Sequence, residues 1–282
     1  MSDSTKVLQH YGRSDIRTKL EAALADAGLG EGRLSPADLA PLDQFHTRGM
    51  SATIELGAAL GIVPGMQGID IGSGLGGPSR YLAAKFGCHV QGIDLSPAFV
   101  EAATYLAGRA GLDNKVAYEC ADALSLPYED QRFDFAWTQH VAMNIADRPR
   151  LYREIHRVLK AGGKFAAYDV VAGGGGEPHF PVPWSRTPHT SFLVLPDAMR
   201  DALERAGFEV VTWDDRTQAA VDWFAEQQKA RVAAQAVGQA AAAAPLGLHV
   251  AMGPDFPTLS ANLGRNLREG RVGIVQAVLQ RR

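Results

Sequence analysis

Hydrophobic and polar positions along this chain switch between two periods. Ile16, Leu20, Ala23 and Leu24 recur at helical spacing, and the run ends at the small, glycine-bearing stretch 27–30. A second helical stretch runs from Thr53 to about Leu60. From there the pattern alternates. Residues 68–71 read as a strand ending abruptly in a glycine-rich turn, 78–86 as a helix with Tyr81, Leu82 and Phe86 on one side, and 89–94 as a second strand. Ser96-Pro97 supplies an N-cap and a first-turn proline for a helix reaching about Ala110. Residues 116–120 and 133–139 read as further strands, 150–159 as a helix that Gly162-Gly163 is expected to stop, and 164–171 as a fifth strand.

The alternation then breaks. Residues 172–176 are Ala followed by four Gly, and they lead into Pro178-His179-Phe180-Pro181-Val182-Pro183-Trp184, whose length and aromatics suit a lid. A helix over 196–206 closed by Gly207, a strand over 208–213, an Ala- and Gln-rich helix over 218–246 carrying Trp223 and Phe224, and a last strand over 272–279 complete the pattern. Strands separated by helices of this length require right-handed crossovers, so the fold is α/β with a doubly wound, mostly parallel seven-stranded sheet. A ligand is expected beyond the carboxyl ends of the strands. The chain divides into an N-terminal helical cover over 1–60 and an α/β domain over 61–282, with lid segments near 172–195 and 216–268.

Composition narrows the function classes. The 282 residues are 46% hydrophobic and 21% charged, ordinary values for a globular chain that buries its own core. A net charge of −3 gives no basic footprint for nucleic acid or anionic membrane. Cys88 and Cys120 cannot build a disulfide framework or a CxxC site, and they suit a reducing cytoplasm. The N-terminus has no apolar leader, and no run of about 18 apolar residues exists to cross a membrane.

The sharpest chemical signal is Asp70-Ile71-Gly72-Ser73-Gly74-Leu75-Gly76-Gly77. Glycines after a strand allow a tight turn and close backbone approach, and the helix that follows aims free N–H groups at a ligand. Gly72, Gly74 and Gly77, with Asp94 further on, also match the dinucleotide pattern, so a nicotinamide oxidoreductase is one rival reading. A silent cofactor-binding module is another. Asp70 beside the first glycine disfavours a pyrophosphate by like-charge repulsion. Asp70, Asp94 and Asp122 at the ends of consecutive strands, with no Lys or Arg in the turn, suit a cationic adenosyl ligand.

This turn, followed by Gly92-Ile93-Asp94-Leu95-Ser96, Ala121-Asp122-Ala123, Phe133-Asp134-Phe135-Ala136-Trp137 and Arg157-Val158-Leu159-Lys160-Ala161-Gly162-Gly163, resembles the motif series of class I S-adenosylmethionine-dependent methyltransferases over roughly residues 45–215. Ala161 departs from the proline usual before the paired glycines. Within that superfamily the chain is similar to the small-molecule branch. The stretches 137–145 and 179–184 most resemble sarcosine/dimethylglycine N-methyltransferases. The resemblance implies S-adenosyl-L-methionine as cofactor. Gly72, Ser73 and Gly74 would set backbone against its methionine part, with Gly76 in the same turn. Asp94 would take the ribose hydroxyls and Leu95 the adenine face. Asp122 and Ala123 would hold the adenine edge, and Gln139 would lie near the methionine moiety. Tyr11 and the stretch Gln44-Phe45-His46 are candidates for the cover.

On the acceptor side the candidates are His140 as a base, Asn144, His179 and Trp184 as substrate contacts, and His189. Arg48 and Arg186 are candidates to pair with a substrate carboxylate. No metal-ligand spacing is present. The expected reaction is methylation of a small-molecule acceptor, first an amine of the sarcosine or dimethylglycine type. The alternative is C- or O-methylation of a lipid, quinone or secondary metabolite. The Asn/Asp-Pro-Pro-Tyr/Phe motif of nucleic-acid amino methylation is absent after the fourth strand. Monomer and homo-oligomer both remain open.

Overall fold

A computed structural model describes residues 15–236 and 246–282, so Tyr11 lies outside the described residues. Seven strands form one sheet in the order β3-β2-β1-β4-β5-β7-β6. β1 (Gln67–Ile71), β2 (His89–Asp94), β3 (Val116–Cys120), β4 (Phe133–Gln139) and β5 (Leu159–Ala172) run parallel. β7 (Val272–Arg281) inserts antiparallel between β5 and β6 (Phe208–Asp215). The doubly wound, mostly parallel sheet expected from the alternation is thus present. The hairpin-like insertion of β7 separates it from the 3-2-1-4-5-6 order of a dinucleotide domain.

Strand parity sorts the core into two layers. On one face Ile69, Ile71, Ala136, Phe165 and Ala167 pack beneath α6 (Arg148–Val158) and α7 (Pro196–Arg205). On the other, Phe135, Trp137, Ala166 and Tyr168 share a cluster with α1 (Ile16–Asp26), α2 (Pro36–Asp43), α3 (Gly49–Leu60), α4 (Gly77–Phe86) and α5 (Pro97–Ala110). The N-terminal helices therefore share the sheet's core. α8 (Thr217–Ala236), α9 (His249–Met252) and α10 (Phe256–Arg268) complete that layer through Ala220, Ala251 and Leu263.

Two local expectations are corrected. Gly162-Gly163 do not stop a helix. α6 ends at Val158, and Leu159 already pairs with Phe133, with a register shift before Lys164 pairs with Phe135. The glycines sit in that irregular stretch of β5, where Gly162 has φ +73°. α2 is an additional element: Ser35 caps it, accepting from the Asp38 N–H while Asp38 accepts from the Ser35 N–H. No helix among the described residues is long and apolar enough to cross a membrane.

Candidate active site

β1 ends in the glycine turn, and the turn is fixed from behind. The Ser73 N–H donates to the Ile93 carbonyl at 2.8 Å, and the Gly76 N–H to the Ser73 carbonyl at 2.8 Å. Gly72 has φ +71°, and a Cβ there would lie 2.6 Å from Val141, so only glycine holds the position without displacing the loop after β4. The turn borders a cavity of about 380 Å³ that opens beyond the carboxyl ends of β1, β2, β3 and β4.

Asp94 closes one side of this cavity. Its Oδ2 accepts from the Gly74 N–H and its Oδ1 from the Ser96 N–H, each at 2.9 Å. Asp94 lines the cavity, and a carboxylate has more acceptor sites than these two bonds use. Burial pushes the carboxyl's pKa up, and the amides of Ser96 and Gly74 oppose that shift. Leu95, Asp122, Ala123 and Leu124 line the adjoining wall, where Asp122 Oδ1 accepts from the Leu124 N–H at 2.9 Å. Gln139 lies opposite at the end of β4. Its Oε1 accepts from Trp137 Nε1 at 3.0 Å and from Thr53 Oγ1 at 3.2 Å. Indole N–H is a donor only, so the amide orientation is set and Nε2 is the end left without a partner.

His140 follows directly and lines the same cavity. Its backbone is left-handed, φ +55°, a conformation uncommon for a residue with a Cβ and concentrated at functional sites. The ring stacks on Tyr168 with centroids 5.5 Å apart and planes 5° from parallel. Nε2 lies 3.4 Å from Thr47 Oγ1, which is 3.0 Å from the Tyr168 hydroxyl. Burial, and secondarily the neighbouring His46, hold its pKa well below the usual imidazole range, so it is neutral at pH 7. His46 is itself pushed down to about 4 by burial. Met143, Asn144, Ile145, Pro183 and Trp184 complete this end, with Met252 arriving from α9.

Several residues singled out in the sequence lie elsewhere. Asp70 is 2% exposed and does not line the cavity; it accepts from Ser79 Oγ at 2.5 Å beneath the turn. Ser73 and Gly76 shape the turn without lining the cavity. His179 is held on α10: Asn266 Oδ1 accepts its N–H, and its Nε2 is 2.8 Å from Glu269. His189 sits in a short 3-10 turn outside the lining. Arg48 pairs with Glu55, and Arg186 with Asp255 at 2.5 Å. Of the cover candidates, Phe45 lines the cavity, while Gln44 and His46 are buried behind it. Phe99 and Met252 are lining residues that no motif marked, while Met143 falls within the 137–145 stretch. Phe99 could have been found as the third residue after the Ser96 cap, the side of α5 that faces the sheet ends.

A glycine turn, an acidic residue closing β2 and an acidic loop after β3 thus frame one cavity at the strand ends of an α/β domain. Residues 69–167 match the family model described as "Methyltransferase domain". Methyltransferase GfsG of Streptomyces halstedii is 34% identical over 137 residues, 49% of each chain. The sarcosine/dimethylglycine N-methyltransferase of Halorhodospira halochloris is 31% identical over 180 residues, 64% of each. The chain thus matches less than two thirds of either relative's length. Among solved structures, the [4+2]-cyclase SpnF superposes with a TM-score of 0.67 at 25% identity over 99% of this chain and 96% of that one. Geranyl diphosphate C-methyltransferase from Streptomyces coelicolor A3(2) shares the fold with a TM-score of 0.70 at 16% identity, covering 100% and 99%.

Proposed function

We propose that the protein transfers a methyl group from S-adenosyl-L-methionine to a small-molecule acceptor, with His140 as the base. The observation that carries this reading is the grouping of Asp94, Asp122, Gln139 and a neutral His140 around one cavity at the strand ends. The residues suit the cofactor. Asp94 has lone pairs left for two ribose hydroxyls. The Gln139 Nε2 donor lacks a partner among the described residues and suits a carboxylate. When bound, the sulfonium supplies an activated methyl and a leaving group that keeps the electron pair of the broken carbon–sulfur bond.

The protein's contribution is alignment, exclusion of water and removal of one proton. With Nε2–H donating to Thr47 Oγ1, His140 keeps the Nδ1 lone pair free to take the acceptor's proton as the new bond to carbon forms. His140 is unprotonated at neutral pH, so no activating deprotonation precedes turnover. Both N-methylation of an amino-acid-like amine and C- or O-methylation of a less polar metabolite fit this chemistry, and the charge of the lining divides them. Incubation with methyl-labelled cofactor and a panel of amines, phenols and quinols tests the proposal. Label in an organic product is expected, and cofactor binding without any labelled product refutes it.

A further inference from the structure

The cavity's charge is one-sided. Its ionisable lining residues are Asp94, Asp122, Asp147 and the neutral His140, and no Lys or Arg lines it among the described residues. Of the nearby arginines, Arg48 holds Glu55 and Arg186 holds Asp255, while Arg148, only 4% exposed, donates from Nη2 to the Phe192 carbonyl at 2.9 Å, has no partner at Nε or Nη1, and is not among the lining residues. The rest of the acceptor end is Phe45, Met143, Ile145, Pro183, Trp184 and Met252. Even the indole N–H of Trp184 is taken, donating to Ser191 Oγ at 2.9 Å.

From this we infer that the acceptor is an uncharged, largely apolar molecule carrying one reactive hydroxyl, and that carboxylated and phosphorylated acceptors are excluded. The inference rests on the methyl-transfer reading above and names the substrate class of the same site. An anionic group entering the acceptor end loses its hydration and finds no Lys or Arg among the described lining residues to offset that loss. An apolar body gains from covering Met143, Ile145 and Trp184. The hydroxyl has His140 to take its proton, with Asn144 in the same lining. In the transfer the O–H bond breaks, its proton passes to His140 Nδ1, and the oxygen forms the bond to the methyl carbon while the sulfur leaves as a neutral thioether.

A matched pair tests the assignment: 4-propylphenol and 3-(4-hydroxyphenyl)propanoate, which differ by a methyl in place of a carboxylate. Each is titrated calorimetrically into the protein saturated with S-adenosylhomocysteine, alongside sarcosine and dimethylglycine, and each is assayed for label transfer. The phenol is expected to bind at least about tenfold more tightly than the carboxylate, with no binding by the two amino acids. Ile145→Lys is expected to shift that ratio toward the carboxylate by about tenfold or more. Equal or tighter binding of the carboxylate, binding of sarcosine or dimethylglycine, or no phenol binding up to about 10 mM overturns the assignment. A ratio unmoved by Ile145→Lys overturns it as well. Absence of label transfer to any probe removes the methyl-transfer reading and the assignment with it, whereas label transfer to sarcosine alone overturns the assignment and leaves the methyl-transfer reading standing.

Discussion

The N-terminal cover is tied to the glycine turn by a fully buried ion pair, and cutting one side of it should be costly. Arg80, on α4 just after the turn, donates from Nη2 to Asp43 Oδ2 at 2.7 Å, and the two side chains are 0% and 1% exposed. The guanidinium has little else: Nη1 reaches the Ala103 carbonyl at 3.3 Å, and Nε has no partner. Asp43→Leu strands that cation in the core, so the cost falls at the upper part of the about 3–5 kcal/mol typical of breaking a buried pair. That is about a quarter or more of an ordinary domain's stability of about 5–15 kcal/mol. Arg80→Met leaves a buried carboxylate, which still accepts from Gln44 Nε2 at 3.0 Å and can take up a proton, so it should cost less. The double variant removes both charges and should recover most of the loss, giving a coupling energy of at least about 2 kcal/mol in a double-mutant cycle followed by urea unfolding. A loss below about 1 kcal/mol in Asp43→Leu, or additive single effects, would refute the reasoning.

Three further outcomes follow from the site. Asp94→Ala should weaken S-adenosylhomocysteine binding by about 1.5–3 kcal/mol, roughly tenfold to 150-fold by calorimetry. Unchanged affinity would remove Asp94 from the ribose. His140→Gln should lower kcat by about 10²–10⁴-fold with cofactor affinity preserved, and a variant of wild-type rate would rule out the base. Burial raises the pKa of Asp70 to about 7 from an ordinary 3.8, against the opposing bond from Ser79 and with a further push from Asp94. Because its folded pKa lies above its unfolded one, its contribution is fully present below about pH 4 and is lost as pH rises through about 7. Asp70→Asn should therefore stabilise the protein at pH 8, by at most about 4 kcal/mol, and have much less effect at pH 4. Thermal unfolding of both proteins at the two pH values checks this, and an equal shift at both contradicts it.

Much of this was readable because strand and helix periods are sharp here. Ser96-Pro97 capped its helix as read, with Phe99 N–H donating to Ser96 Oγ at 3.4 Å. The direction of Asp70 was the failure. In a strand, side chains alternate, and Ile69 and Ile71 already claim one core layer. Asp70 must then face the opposite layer, where α4 presents Ser79, whereas Asp94 comes last in β2 and its carboxylate reaches the cavity past the glycine turn. α2 escaped notice because it spans 8 residues and carries Pro41 inside it, although Ser35-Pro36 with Asp38 spells a capping box. His179 looked like a site residue by its place in an aromatic stretch. Its partners Asn266 and Glu269 are 87 and 90 residues away in sequence, a pairing no local pattern reveals. Met252 reaches the cavity for the same reason, through tertiary packing of α9 against α1.

The most direct test of the account is a crystal structure with S-adenosylhomocysteine bound. The account predicts both ribose hydroxyls on the Asp94 carboxylate, the adenine between Leu95 and the 122–124 loop, the amino-acid carboxylate within reach of Gln139 Nε2, and the sulfur directed toward His140. Density for the ligand outside this cavity, or with its ribose turned away from Asp94, would contradict it.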